Sequence, residues 1–200
     1  MISKLKLITA PAIPAVSLAD AKLQLRVDNT DDDTFITSLL NECINFVQEH
    51  CGIQLITATY EQYLDEFPSD NTFFYLKKNP VQNPITSIKY YDAAGVLQTL
   101  ATDQYWIDEN NIPAKIMLRN SVTDFPDTED ERPNAVIVRF KAGYGDAVTS
   151  VPENIIRALK LLINTWYDNR TTQKFGEGSG MDIPQAVLSL LNQNKISEFF

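Results

Sequence analysis

The stretch from Thr30 to Gly52 constrains the chain most. Apolar residues recur at Ile36, Leu39, Leu40, Cys43, Ile44, Val47 and Cys51, a 3.6-residue period that makes one buried helical face. Thr30 is placed to cap this helix, with Asp33 three residues on. Asp31, Asp32 and Asp33 fall in the first turn, where unpaired N–H groups and the positive end of the dipole favour carboxylates. Gly52 stands where a left-handed residue ends a helix. About 21 residues at ~1.5 Å each predict a helix of roughly 30 Å, long enough to cross a small domain.

Around this helix the period changes twice. Residues 1–16 read as an extended leader, because Pro11 and Pro14 forbid a helix and Leu5, Leu7, Ile8, Ile13 and Val16 need a surface to lie on. Ser17 and Asp20 form a capping-box-like pair opening a short helix with Leu18, Ala21 and Leu25 on its stripe. From Leu55 to Ala142 the period is 2. Strands are expected from Ile56, at Phe73–Leu76, Ile85–Tyr91, Val96–Leu100, Tyr105–Asp108, Lys115–Leu118 and Ala135–Lys141. Asp92-Ala93-Ala94-Gly95 makes a hairpin turn. Short strands with tight turns and no βαβ unit imply an antiparallel sheet. Asp124, Asp127, Glu129, Asp130 and Glu131, against Arg132 alone, read as a solvated loop rather than a cation site.

Pro152 then opens a second long helix with Ile155, Ile156, Leu159, Leu162, Ile163 and Trp166 on a wide stripe. Asp168-Asn169-Arg170 closes it, with a cation at the negative end. Gly176 to Gly180 reads as a flexible linker, Asp182 and Pro184 as the start of a last short helix, and residues 195–200 as frayed. The expected fold class is α+β: a small helical bundle formed by the N- and C-terminal helices, with an antiparallel β-sheet region inserted between them. One domain over 1–200 is expected, comprising helices at 17–52, the β insertion at 55–142 and helices at 152–192.

A chain that is 44% hydrophobic can bury a core. Its net charge of −9 argues against a free basic patch that grips phosphates. Simple solubility accounts for such a charge, and so does a surface that DNA passes without sticking. No apolar run suits a signal peptide or a membrane span, so the chain is expected to stay in the cytoplasm where it is made. Cys43 and Cys51 lie about 12 Å apart along one helix, too far for a disulfide, and read as core thiols.

The inventory does not support an enzyme. His50 is the single histidine and sits at a helix end, where a cation interacts favourably with the dipole. Nothing near Cys43, His50 and Cys51 completes a zinc set. Asp28, Thr30 and Asp32 begin like a calcium loop, but Asp33 occupies the glycine position and Leu39 the bidentate glutamate position. Gly143-Tyr144-Gly145 lacks the third glycine of a dinucleotide loop, and Gly176 to Gly180 is not followed by Lys-Ser/Thr. A carboxylate pair formed by folding stays open at this stage.

Three blocks carry a family resemblance. Ser17 to Asp28, with Gln24-Leu25-Arg26, followed by the acidic cap and the long helix, resembles the phage head–tail connector family named for a Gln-Leu-Arg-Gly motif; Val27 stands where that motif has glycine. Phe140-Lys141-Ala142-Gly143-Tyr144-Gly145, with Val151-Pro152-Glu153 and Trp166-Tyr167-Asp168-Asn169-Arg170, is similar to a second block, and Leu5 to Pro11 to a third. Together they cover most of the chain. The resemblance implies a phage- or prophage-encoded structural virion protein that forms a ring between portal and tail and extends the DNA channel. The implied partners are further copies of the chain, the portal protein, a tail-completion or neck protein, and packaged DNA passing without specific binding. No catalysis and no cofactor are implied. Arg26 reads either as a helix-end charge or as an intersubunit ion pair. Trp166, Tyr167 and Arg170 read as core packing and capping, or as subunit interface. The competing function is a DNA-packaging accessory or nucleic-acid-binding module.

Overall fold

The computed structural model describes residues 3–69, 73–119, 122, 124–169 and 183–196. Its backbone divides into two compact units, one built from Met1–Pro11 and Thr57–Tyr144, the other from Ala12–Ile56 and Gly145–Ser197.

In the first unit, strands β1 (Ser3–Thr9), β2 (Ala58–Leu64), β4 (Val81–Tyr91), β5 (Leu97–Thr99) and β8 (Val136–Ala142) form a sheet in the order β1-β2-β8-β4-β5. Every neighbouring pair is antiparallel. Strands β3 (Phe73–Tyr75), β6 (Tyr105–Asp108) and β7 (Lys115–Leu118) form a second antiparallel sheet in the order β3-β7-β6. Alternation decides what each strand buries. Val136, Val138, Phe140 and Ala142 lie on one face of β8 and are fully buried, in one cluster with Ala58, Tyr60 and Leu64 of β2 and Ile88 of β4. Phe74, Tyr105 and Ile116 of the second sheet belong to the same cluster, so the two sheets share one core. Phe67 and Phe125 close it, stacked at 4.7 Å.

Polar groups inside this core are satisfied. Gln62 is 1% exposed; its Nε2 donates to the Tyr75 carbonyl at 2.9 Å, and its Oε1 accepts from the Lys77 amide at 2.9 Å. Asn79 Oδ1 accepts from the Ala114 amide at 2.9 Å, and its Nδ2 donates to the Leu76 carbonyl. Two buried side-chain amides thus stitch strand ends that backbone ladders leave open.

In the second unit, α1 (Leu18–Leu25), α2 (Asp33–Cys51), α3 (Glu153–Asp168) and α4 (Gln185–Asn192) pack together, with α3 touching the other three. The apolar face of α2 is the expected one: Ile36, Leu39, Leu40, Cys43, Val47 and Cys51 are buried. Gly52 ends α2 at φ 68°, with its N–H and that of Ile53 turned back to the Glu49 and Gln48 carbonyls. Ser17 caps α1, its Oγ accepting from the Asp20 amide at 3.1 Å. Lys22 Nζ reaches the Asn29 carbonyl and Asp33 Oδ1, both at 2.6 Å, and so ties α1 to the start of α2.

Two expectations need correction. The chain is not a small helical bundle with a sheet inserted between its terminal helices. Among the described residues it holds four α-helices and eight strands in two antiparallel sheets, and much of it is β. The reason is the leader: residues 3–9 are a strand that pairs with β2, so the large sheet begins before the first helix and recruits both sides of it. Thr30 is also not the cap of α2. The helix starts at Asp33 after Asp32, which makes no capping bond, and Thr30 contributes only its carbonyl to the Asp33 amide. The linker expected at 176–180 and the fraying expected beyond 196 lie outside the described residues.

Phe140 is wholly buried at the centre of the sheet core, 6.2 Å from the Tyr60 ring. Phe140→Ala is expected to cost about 3–5 kcal/mol through lost burial and the cavity left behind. Urea unfolding followed by circular dichroism measures it; a loss under about 1 kcal/mol would contradict this packing.

Candidate functional site

Among the described residues, no group of three or more His, Cys, Asp or Glu side chains is placed to hold a metal ion. Cys43 and Cys51 are free, buried thiols. Burial pushes Cys43 up to about 12, helped by Glu42, and pushes Cys51 up to about 11 against a small opposing effect of Lys195. Neither forms the thiolate that nucleophilic chemistry needs. His50 stacks on Phe46 at 5.6 Å, and its Nε2 lies 3.5 Å from Asn192 Oδ1, a packed helix-end residue. Among the described residues, no helix is long and apolar enough to cross a membrane.

The four residues singled out as interface candidates are placed differently. Arg26 is exposed and ends α1 in the left-handed region at φ 58°, with its own N–H turned to Leu23 O and that of Val27 to Lys22 O. A residue with a Cβ pays about 1 kcal/mol for that conformation. A glycine at position 26 would relieve it, whereas the resemblance's motif has its glycine one place later, where Val27 stands. Beside it Leu23 is 80% exposed. Trp166 is 7% exposed and meets Phe46 edge-on at 5.8 Å; its Nε1 has no hydrogen-bond partner among the described residues. Tyr167 is half-buried against Phe35, and its hydroxyl donates to Asp32 Oδ2 at 2.5 Å, which binds the end of α3 to the start of α2. Arg170 lies outside the described residues.

The large sheet gathers charge that the linear sequence scatters. On its outer face, Lys6 stands opposite Glu61, Glu61 opposite Arg139, and Arg139 opposite Ser87. In the next row Lys4, Tyr63, Ile137 and Lys89 stand side by side; beyond, Lys141 lies between Thr59 and Gln82. Lys4, Lys6, Lys89, Arg139 and Lys141 are all exposed, with Glu61 the single carboxylate among them. Arg139 donates to Glu61 Oε1 through Nε at 2.8 Å and Nη2 at 2.5 Å, and the Tyr63 hydroxyl donates to Glu61 Oε2. The four lysines form no salt bridge with any described residue. The composition argues against a free basic patch that grips phosphates, but it does not show that these cations share one sheet face. The cations come from three strands that are remote in sequence, and only the register assembles them.

The opposite sign collects at one end of the same unit. The segment 124–131 packs by Phe125 on Phe67 and Phe74, and the Glu129 amide donates to the Tyr91 carbonyl at 3.1 Å. It encloses a groove of about 790 Å³ lined by Glu66, Asp124, Asp127, Glu129 and Asp130 together with Phe67 and Leu118. Asp65 and Glu131 border the adjoining hollow. Arg132 is the single cation there. It pairs with Glu129 at 2.5 Å and lies over the Tyr91 ring at 3.4 Å. Asp124, Asp127, Asp130 and Glu131 are exposed and make no salt bridge with a described residue.

Burial raises the pKa of Glu61, but the hydrogen bonds from Tyr63 and Arg139 and the charges of Arg139 and Lys6 outweigh it. Its carboxyl therefore titrates below the usual glutamate value. A depressed folded-state pKa contributes stability above the unfolded value near 4.3, and that stability is lost as pH falls through the lower folded value. Glu61→Gln is expected to flatten the acid limb of the stability–pH curve below about pH 4.5. Urea midpoints measured from pH 7 to pH 2.5 check it; parallel curves for the two proteins would contradict the assignment.

Three solved particles share the fold, each at 20% identity, with 98% of this chain and 97% of theirs covered: the neck of an empty GTA particle computed with C6 symmetry, at a TM-score of 0.77; the virion of a native gene transfer agent (GTA) particle, at 0.78; and the neck of a native GTA particle computed with C12 symmetry, at 0.74. At that identity the likeness is one of fold. No curated protein matches the chain. The sequence model of the head completion protein family matches residues 15–193, both helical segments and the sheet between them. By that match, over nearly its whole length, the chain belongs to the head completion protein family.

Proposed function

We propose that this protein is a structural head–tail connector of a phage or prophage, with residues 1–200 working as one connector domain. Copies form a ring in the virion neck between the portal and the tail, and the ring continues the channel through which packaged DNA leaves. The observation that carries this reading is the head completion family match over residues 15–193. Support comes from the GTA neck structures, which share the fold and were computed with C6 and C12 symmetry. A structural, non-catalytic role goes with that family match; among the described residues Cys43 and Cys51 are buried thiols and His50 is packed on Phe46. The partners are further copies, the portal protein and a tail-completion protein, and DNA passes without specific binding.

Arg26 is the first interface residue to examine, because it is exposed and holds a backbone conformation that glycine would adopt at lower cost. Trp166 and Tyr167 act in this reading by fixing α3 against α2, and Arg170 completes the set. A nucleic-acid role has one observation in its favour, the exposed lysines of the sheet.

Light-scattering mass on a sizing column, for the chain alone and with the portal protein of the same phage, tests the ring. Ring-sized particles in either run are the expected result; a monomer at every concentration with and without portal would overturn the connector reading. Arg26→Gly is expected to raise the stability of the isolated chain by roughly 0.5–1 kcal/mol while lowering ring yield. Unchanged ring yield in Arg26→Gly and Arg26→Ala would remove Arg26 from the interface.

A further inference from the structure

A ring needs a heterologous interface, in which one face of each copy fits a different face of the next. The sheet unit carries two such faces. On the outer surface of the β1-β2-β8-β4-β5 sheet, Lys4, Lys6, Lys89 and Lys141 are exposed and outside every salt bridge among the described residues. At the end of that sheet, Asp124, Asp127 and Asp130 around a groove of about 790 Å³, and Glu131 at the adjoining hollow, are exposed in the same condition. Lys6 faces only Glu61, a carboxylate already held by Arg139, and Lys4, Lys89 and Lys141 form no salt bridge with a described residue, although the chain carries a net charge of −9.

We propose that the lysine face of one copy docks on the carboxylate-lined groove of the next copy. This rests on the ring reading above and names its interface. Four lysines meet four carboxylates, none of them in a salt bridge among the described residues, so the contact neutralises both patches. Lysine suits the task, since its ammonium is a compact charge on a long stem that reaches into a groove without demanding bidentate geometry. The groove floor contributes Phe67 and Leu118, against which the methylene stems can lie. The alternative occupant of the lysine face, a nucleic acid, would leave the acidic groove without a role. A second copy uses both features, which is why the second copy is favoured.

The test reverses each side. One variant carries Lys4→Glu, Lys6→Glu and Lys89→Glu; the other carries Asp124→Lys, Asp127→Lys and Asp130→Lys. None of these six side chains makes a hydrogen bond or salt bridge with a described residue, and circular dichroism melts of each variant check that the fold is kept. Assembly is measured by light scattering under the condition in which the unmodified chain forms rings, alone or with portal. Each variant by itself is expected to lose at least tenfold in ring yield. A one-to-one mixture of the two is expected to recover it, because every junction then pairs opposite signs. Raising salt from 0.05 to 1 M should weaken assembly of the unmodified chain, as the screening length shrinks to about 3 Å.

If the unmodified chain forms rings while both variants assemble equally well, or if the mixture stays unassembled, this interface is overturned and the ring stands. An unmodified chain that forms no ring with portal overturns both. Salt-dependent binding of a 20-base-pair DNA that is lost in the lysine variant, with ring yield unchanged, would assign the face to nucleic acid and overturn the docking.

Discussion

The register of β2 between β1 and β8 is the constraint on which the rest of the sheet unit depends. Tyr60, Gln62 and Leu64 face the core, while Thr59, Glu61 and Tyr63 face outward. Strand side chains alternate with period two, so a slip of one residue would send Glu61 inward and expose Leu64. It would also break the Gln62 amide bridge to Tyr75 and Lys77, leaving buried polar groups unpaired. The same slip would bring Lys6, Arg139 and Lys141 out of line. Core packing and outer-face charge are therefore two consequences of one pairing, and neither can drift without the other.

What was legible in the sequence was what neighbours along the chain decide. The stripe of α2 from Ile36 to Cys51 needs only the helical period. The Asp92–Gly95 turn needs only Gly95, at φ 76°, and an aspartate whose Oδ1 accepts from the Ala94 and Val96 amides. The Ser17–Asp20 cap is likewise local. What was not legible depends on pairing across long stretches of chain. Nothing in Ser3–Thr9 says that its partner is Ala58–Leu64, so the sequence does not show that the leader begins the sheet. The lysine face is illegible for the same reason: Lys6, Lys89 and Arg139 become neighbours only through β2 and β8. A net charge of −9 averages over a surface whose signs are strongly separated.

Arg26 shows a different limit. Its side-chain chemistry is visible in the sequence, but its left-handed backbone is not, because residues with a Cβ seldom adopt it. Only the turn after α1, with Val27 N–H on Lys22 O, reveals that a glycine-like site holds an arginine. Trp166 runs the other way. Its place on the apolar stripe of α3 already reads as core, and it is 7% exposed and packed edge-on against Phe46.

Separated charge also works against wrong partners. Strand β1 is a sheet edge, and an open edge with exposed Leu7 and Ile8 would invite a second copy to pair along it. Lys4 and Lys6 alternate with Leu5 and Leu7 on this strand, so two β1 edges meeting antiparallel about Leu5 would set lysine against lysine. Two outer sheet faces meeting would do the same with five cations each. Under the proposed docking, the charges that draw the groove of the next copy thus also reject the symmetric contacts that would close a dimer. A surface attracting only its opposite can add copies in one direction, and that is the condition for a ring.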